Sequence, residues 1–364
     1  METSPLGLNV ARAYLKNYGQ FLVNVRSAPK PPAVITACID SNNDIPLLKQ
    51  MARDLPHTKI VGRVVVKDTD GKFHLKPEAV GDNREWIAST EDFLNTWRAL
   101  GRDGMSLYCL NEPGTYYDAS KPDEVERINR LVKWTCNVLT DAATENTSLT
   151  VLNMGTGHPP LDNDQWDMRL DPILRRLSLY RDIHFLGLHE YLPEQDRIGR
   201  FLAMIRRCQT LGIEPPRVIF TEGGYDSDKG DRNGYKDRKV PGEIYFDVLT
   251  GLIERVYRPY IDAGIILGYD VFACGDSGGW KQYDVEDDRG FWSGWARWSY
   301  KPKPAPVVVQ VPEPVEEPKP APAPEVPVNV QRGLHYAAIA SLHRKLAEHY
   351  ERLAKLELGE EVPT

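Results

Sequence analysis

Short apolar segments alternate with longer amphipathic segments over the first 300 residues of the chain. The apolar segments are rich in Val, Ile and Leu and mostly lack a polar–apolar alternation. That pattern is typical of parallel strands buried on both faces. The candidate strands are Leu6–Val10, Ala33–Ile39, Lys59–Val66, Met105–Leu110, Leu149–Met154, His184–His189, Arg217–Thr221 and Ile265–Phe272.

The segments between these strands show helical periodicity, with plausible boundary residues at Pro122 and Gly212. The clearest helices are predicted over Ile45–Leu55, Glu85–Leu100, Asp123–Ala143 and Arg197–Leu211. Eight strand–helix repeats in roughly 250–300 residues indicate an α/β fold of the (β/α)₈ TIM barrel type. The competing doubly wound sheet usually carries a glycine-rich phosphate loop after its first strand, which residues 8–12 do not resemble.

The composition changes sharply near Lys301, where a proline-rich tract follows the last strand–helix repeat. Pro302–Pro327 cannot build a core and is predicted to be an extended polyproline II spacer. The pattern after the tract predicts one amphipathic helix over Gly333–Leu358. Its apolar face is a short heptad seam formed by Ile339, Leu342, Leu346, His349, Leu353 and Leu356. We therefore predict a barrel over 1–300, a linker over 301–330 and a C-terminal helix over 331–364. The helix would associate with a second copy or with another protein, or alternatively fold back on the barrel.

The bulk composition is that of a globular protein, with 41% hydrophobic and 27% charged residues in a chain of 364. A net charge of −7 and a pI near 5.7 argue against a nucleic-acid partner. No apolar run approaches the roughly 20 residues of a membrane span. The first residues lack signal-peptide features, which predicts a cytoplasmic protein, with release by lysis or unconventional export as the alternative. The five scattered cysteines predict unpaired thiols.

Two glutamates carry most of the chemical information. Glu112 follows the fourth candidate strand within Asn111-Glu112-Pro113, and Glu222 follows the seventh within Thr221-Glu222-Gly223-Gly224. The strand count places both at the end of a barrel where active sites lie. Two converging carboxylates suit glycosidic bond cleavage, because one protonates the leaving oxygen while the other attacks or activates water.

Further polar residues lie near the ends of other strands and are candidate substrate contacts. The sixth strand supplies His189 and Tyr191, and a tyrosine there could hydrogen-bond the Glu222 carboxylate. Glu190 should point away from the site if the strand alternates. Arg63 is predicted either to pair with a glutamate or to form a structural ion pair with an acid such as Asp40. The remaining candidates are Asn9, Asn111, Asn153, His158 and Trp280.

Signatures of other chemistries are missing from the sequence. It contains no Gly-x-Ser-x-Gly elbow, no HExxH helix and no P-loop. No cofactor and no metal ion are predicted.

As a set, Asn111-Glu112-Pro113, His189-x-Tyr191 and Glu222 resemble the clan A glycoside hydrolases, (β/α)₈ enzymes that include cellulases, mannanases, xylosidases and β-galactosidases. The resemblance implies a retaining mechanism in which Glu112 is the general acid/base and Glu222 the nucleophile. It also implies that Asn111 binds the sugar 2-hydroxyl and that Tyr191 supports Glu222. The two carboxyl groups would then lie about 5–5.5 Å apart.

The sequence also departs from that resemblance. Members often carry an arginine near the nucleophile at the end of an early strand, whereas Arg63 lies inside its predicted strand. The tryptophan usual after the eighth strand is not evident, since residues 271–274 read Val-Phe-Ala-Cys. The sequence therefore leaves open a second hypothesis, an inactive carbohydrate-binding or structural barrel tethered through the proline-rich linker.

Overall fold

Eight parallel strands form a closed barrel in which each strand pairs with its neighbours in chain order and β8 pairs with β1. The computed structural model describes residues 2–39, 44–64, 105–110, 120–155, 166–192, 199–225, 234–275 and 279–302. The strands are β1 Leu6–Ala11, β2 Val34–Ile39, β3 Lys59–Val64, β4 Ser106–Cys109, β5 Leu149–Met154, β6 Phe185–Leu192, β7 Arg217–Tyr225 and β8 Ile266–Cys274. The TIM barrel predicted from the alternating pattern is confirmed.

Helices follow the strands and cover the outside of the barrel. They are α1 Tyr18–Arg26, α2 Ile45–Asp54, α3 Pro122–Thr144, α4 Asp171–Leu179, α5 Arg200–Thr210, α6 Gly242–Leu252, α7 Arg258–Asp262 and α8 Arg289–Arg297. A π-helical turn, Ile253–Tyr257, connects α6 to α7, and short 3₁₀ turns occupy Arg12–Tyr14 and Met168–Leu170. Within the described ranges, no helix is long and apolar enough to cross a membrane.

The main hydrophobic core lies between the outer face of the barrel and the helices. Alternate residues of β1 such as Leu8 and Val10 point into this layer and are fully buried, and apolar helix faces cover them. A second, smaller cluster includes Val34, Phe185 and Ile219, which reside on three different strands. Side chains from several strands thus fill one end of the barrel interior.

Polar side chains occupy the interior beyond this apolar cluster. Asp270 is fully buried, and its Oδ2 accepts hydrogen bonds from the amide (2.7 Å) and the hydroxyl (2.6 Å) of Thr36. Burial raises the pKa of Asp270 well above its ordinary value, which favours the neutral acid. The Ser106 and Thr150 hydroxyls lie 2.9 Å apart in the same interior. Such a layer places hydrogen-bonding groups directly beneath the ends of the strands.

Strands β6 and β7 both run beyond their predicted ends. They remain paired in parallel through Tyr191↔Gly224 and Leu192↔Tyr225, so the two glycines after Glu222 continue the strand instead of bending it. Glycine is required there for close packing. A Cβ on Gly223 would lie 2.3 Å from Cζ of Tyr269, and one on Gly224 would lie 2.5 Å from the Tyr245 hydroxyl, at a φ of +142°.

The remaining elements largely follow the predictions. Cys38, Cys109 and Cys274 lie in strands, and none of the five cysteines, all of which are described, forms a disulfide. Trp292 and Trp295 are buried in α8, which packs against α6. The predicted helix Glu85–Leu100, the proline-rich linker after residue 302 and the C-terminal helix lie outside the described residues.

Candidate active site

Glu222 lies on β7, near the C-terminal end of the barrel strands, with only 8% of its surface exposed. The local strand is irregular, because the pairing of β6 with β7 shifts register between Leu188 and His189, and that of β7 with β8 shifts between Phe220 and Gly223. A bulge of this kind changes the direction in which a side chain points. Both Thr221 and Glu222 consequently make contacts inside the barrel.

Three side chains surround the Glu222 carboxylate. Arg63 Nη1 donates to Oε1 over 2.9 Å, and the Tyr191 hydroxyl donates to Oε2 over 3.0 Å. His189 Nδ1 lies 3.6 Å from Oε2, within reach of an electrostatic interaction but longer than a normal hydrogen bond. A cation and a hydroxyl donor thus each bind one oxygen of the carboxylate.

Arg63 contacts a glutamate, which is one of its two predicted kinds of partner. Although Arg63 lies inside β3, its long side chain extends to Glu222. The alternative partner, Asp40, lies outside the described residues. The Arg63 guanidinium also lies over the Tyr108 ring, with Cζ 5.2 Å from the ring centroid. This cation–π contact helps to fix the orientation of the side chain.

His189 and Tyr108 form a buried support beneath the carboxylate. His189 is 2% exposed, and its Nε2 lies 3.0 Å from the Tyr108 hydroxyl. Burial raises the pKa of Tyr108 well above its ordinary value, so its phenol stays neutral at physiological pH. His189 was predicted to line the pocket, whereas the structure places it under Glu222.

Aromatic rings continue from Tyr191 toward the end of β8. The Tyr191 and Phe272 rings meet edge to face at 6.2 Å, and Phe272 meets the Trp280 ring in the same way at 5.3 Å. Trp280 also contacts Tyr283 and is half-buried, which leaves part of its ring accessible. Phe272 thus occupies the place in which the resemblance led us to look for tryptophan, and Trp280 stands behind it.

Glu190 points away from Glu222, as the alternation of β6 predicts. Its Oε1 accepts the Gly199 amide over 3.0 Å, its Oε2 is bonded by the Tyr257 hydroxyl, and its carbonyl accepts the Tyr269 hydroxyl over 3.0 Å. Burial is the main cause that raises the pKa of Glu190 to about 7, against the lowering effect of these hydrogen bonds. Glu190 therefore anchors the outer side of the strand whose inner side carries His189 and Tyr191.

Asn9 and Asn153 differ from their predicted role as substrate contacts. Asn153 is fully buried and Asn9 is 2% exposed, so neither presents a free surface. The Asn9 amide donates to the Thr221 carbonyl over 2.9 Å, and the Asn153 side chain makes bonds to β4, β5 and β7. Both amides lie beneath the site and contact protein instead.

Three candidate residues, Asn111, Glu112 and His158, lie outside the described residues. The chain leading to the first two is described as far as Leu110, which is 3% exposed and has a φ of +64°. β4 ends at Cys109, so the described chain reaches the same end of the barrel as Glu222 at residue 110. No group of His, Cys, Asp or Glu in the described ranges could hold a metal ion.

No protein-family model matches the sequence, and no curated protein is significantly similar to it. Solved structures do match. Xylanase A from P. fluorescens subsp. cellulosa, in a mutant complex with xylopentaose, is 11% identical with a TM-score of 0.49, and the match covers 81% of this chain and 97% of that one. Bacillus subtilis mannanase BCman is 11% identical with a TM-score of 0.47, covering 79% of this chain and 86% of that one.

N2152 from Neocallimastix frontalis is 14% identical with a TM-score of 0.43, and the match covers 74% of this chain but spans only 59% of that one. At 11–14% identity, these likenesses concern the fold alone.

Sequence reasoning missed the interior residues that support the site. Tyr108 and Thr221 look like ordinary strand residues, and only the closed barrel brings them next to His189 and Asn153. A weak signal was present, since polar residues recur at inward positions of otherwise apolar strands. Parallel strands buried on both faces seldom retain such residues without hydrogen-bond partners.

Proposed function

We propose that this protein is a retaining glycoside hydrolase that cleaves β-glycosidic bonds, with Glu222 as nucleophile and Glu112 as general acid/base. The observation that carries the proposal is the setting of Glu222, a nearly buried carboxylate held by Arg63 and Tyr191 near the C-terminal end of a barrel strand. Each donor occupies a different oxygen, so the carboxylate is fixed in orientation.

This setting suits a nucleophile better than a proton donor. A general acid must give a proton to the leaving oxygen, whereas both Glu222 oxygens already accept hydrogen bonds, from Arg63 and Tyr191. In the proposed first step, a Glu222 oxygen attacks the anomeric carbon while Glu112 protonates the departing oxygen, giving a glycosyl-enzyme and the free aglycone. Glu112 then removes a proton from water, which attacks the anomeric carbon and releases Glu222.

The proposed substrate is a carbohydrate bound at the same end of the barrel. Trp280 offers a partly accessible ring beyond Phe272, and aromatic rings stack on the apolar faces of sugars. Asn111 is proposed to bind the 2-hydroxyl of the sugar, by the resemblance described above. Such a bond strengthens as the transition state forms.

The test is hydrolysis of a panel of aryl β-glycosides by the full chain. We expect Glu222→Gln to lower kcat by about 10⁴-fold or more, because removal of a nucleophile abolishes the covalent route. The matched control is Glu214→Gln, an exposed glutamate that pairs with Arg181 away from the site. The product should keep the β configuration when it is followed by NMR before mutarotation.

Equal rates for Glu222→Gln and the parent would refute the assigned nucleophile, and an inverted product would refute the retaining mechanism. A folded parent that binds oligosaccharides by calorimetry but releases no aglycone would favour the alternative of an inactive carbohydrate-binding barrel.

A further inference from the structure

We infer that Asn153 is a positioning residue whose buried amide connects the end of β4, which precedes Glu112 in the chain, to β7, which carries Glu222. This inference rests on the proposed function, in which the spacing of these two carboxylates matters. Strands β4 and β7 are not neighbours in the barrel, because β5 and β6 lie between them. Main-chain hydrogen bonds therefore do not set the distance between their ends directly.

The nitrogen of the Asn153 amide holds the end of β4. Nδ2 lies 2.8 Å from the carbonyl oxygen of Leu110 and 3.2 Å from that of Cys109, and it also lies 3.1 Å from the Thr150 carbonyl. Carbonyl oxygens only accept hydrogen bonds, so all three contacts require the NH₂ group to face them. Leu110 immediately precedes Asn111-Glu112 in the chain.

The oxygen of the same amide holds β7. Asn153 Oδ1 accepts a hydrogen bond from the Thr221 hydroxyl over 3.2 Å, and Thr221 immediately precedes Glu222. From the other side, the Asn9 amide donates to the Thr221 carbonyl over 2.9 Å. Leu110, two residues before Glu112, and Thr221, the residue before Glu222, are thus bonded to one planar group.

The surrounding backbone is adapted to this amide. Leu152 and Asn153 have φ values of +70° and +38°, where the pairing of β5 with β6 shifts register. Asparagine tolerates this conformation better than most residues, and such strain persists only where the surroundings enforce it. Gly187 provides the space, since a Cβ there would lie 1.9 Å from Asn153 Oδ1.

The consequence for catalysis follows from geometry. A misplacement of about 1 Å between reacting groups can cost roughly 100-fold in rate. Because Asn153 is fully buried, loss of its bonds also leaves carbonyls of β4 without their donor. The expected effect therefore falls on kcat, while sugar binding at the pocket surface changes little.

Three substitutions test whether the Asn153 amide holds the end of β4 against β7. Asn153→Asp keeps the shape but places an oxygen against the three carbonyls, and we expect kcat to fall about 100-fold with KM within about threefold of the parent. Thr221→Val removes only the hydroxyl and should lower kcat about 10-fold, whereas Thr221→Ser should restore nearly parental kcat. The matched control is Thr135→Val, a fully buried threonine of α3 whose hydroxyl has no hydrogen-bond partner within the described structure.

Hydrogen exchange gives a second readout that does not depend on activity. Asn153→Asp and Thr221→Val should each raise exchange in peptides from both β4 (106–109) and β7 (217–225), and Thr135→Val should raise it in neither. Exchange raised in β5 alone, or a folded Asn153→Asp protein with parental kcat, would overturn the inference. A parent with no hydrolytic activity would refute the proposed function, and the exchange data would still decide whether Asn153 connects β4 to β7.

Discussion

Replacing Glu190 with glutamine should change how the stability of the barrel depends on pH. Glu190 has an ordinary pKa of 4.5 that burial raises to about 7. The unfolded chain releases this proton above pH 4.5, while the folded protein retains it until about pH 7. Folding is therefore favoured fully below pH 4.5 and loses this contribution as pH rises through 7.

The size of the effect follows from the two pKa values. A difference of about 2.5 pH units corresponds to about 3 kcal/mol, at roughly 1.4 kcal/mol for each unit. Glutamine keeps an oxygen for the Gly199 amide and gains an NH₂ that can donate to the Tyr257 hydroxyl. It therefore mimics the protonated acid and removes the titration without removing the contacts.

In the parent protein, the free energy of unfolding should change little between pH 4.5 and 7, because His184 contributes a pH dependence of opposite sign to that of Glu190. His184 is fully buried, with Nδ1 accepting the Leu149 amide (3.2 Å) and Nε2 lying 2.8 Å from the Leu139 carbonyl. Burial lowers its pKa from 6.5 to about 4. Because folded His184 binds a proton less readily than the unfolded chain does, its burial destabilises the fold at low pH. This loss in the free energy of unfolding disappears as pH rises from 4 to 6.5, a change of a similar ~3 kcal/mol.

The assay is the free energy of unfolding in urea, measured at intervals from pH 4.5 to 7.5. We expect Glu190→Gln to gain about 3 kcal/mol relative to the parent over this range, with Glu214→Gln following the parent curve. A constant offset between Glu190→Gln and the parent would refute the assignment of a near-neutral carboxyl group at position 190.

Three further substitutions give graded effects. Tyr191→Phe should lower kcat about 10- to 100-fold with little change in KM, since it removes one hydrogen bond to a charged oxygen; unchanged kinetics would exclude a supporting role. Arg63→Met should lower kcat about 100-fold or more because Glu222 loses its cationic partner, and a parental kcat would contradict this. Gly223→Ala should destabilise the fold by about 1–3 kcal/mol through overpacking, whereas Gly279→Ala, with open space around it, should not; equal melting temperatures would refute the steric reading.

The barrel could be predicted from sequence because its signal is local. Each buried parallel strand forms its own apolar run, and the helices between them show their own periodicity, so counting repeats gives the fold. The ends of β6 and β7 could not be predicted in this way. Whether Gly223 ends or continues a strand depends on Tyr269, a residue of β8 that packs against it only in the closed barrel.

Site residues with a local sequence signal could also be predicted, whereas those defined by contacts across the barrel could not. Glu222 and Tyr191 follow apolar runs and were found from their positions, and their contact could be anticipated from adjacent strands. Arg63 was ambiguous because sequence does not reveal how far a long side chain reaches. Asn153 was assigned to substrate because a polar residue at a strand end looks the same whether it faces solvent or, as here, the barrel interior.

The most direct test of the central claim is to trap the covalent intermediate on Glu222. The full chain would be incubated with a 2-deoxy-2-fluoro β-glycoside, with a good leaving group, of the sugar that the parent hydrolyses best, and its peptides analysed by mass spectrometry. A retaining enzyme should carry one fluoroglycosyl group on the peptide containing Glu222, and Glu222→Gln should carry none. Turnover of the parent substrate without any adduct, or an adduct on another residue, would contradict the account.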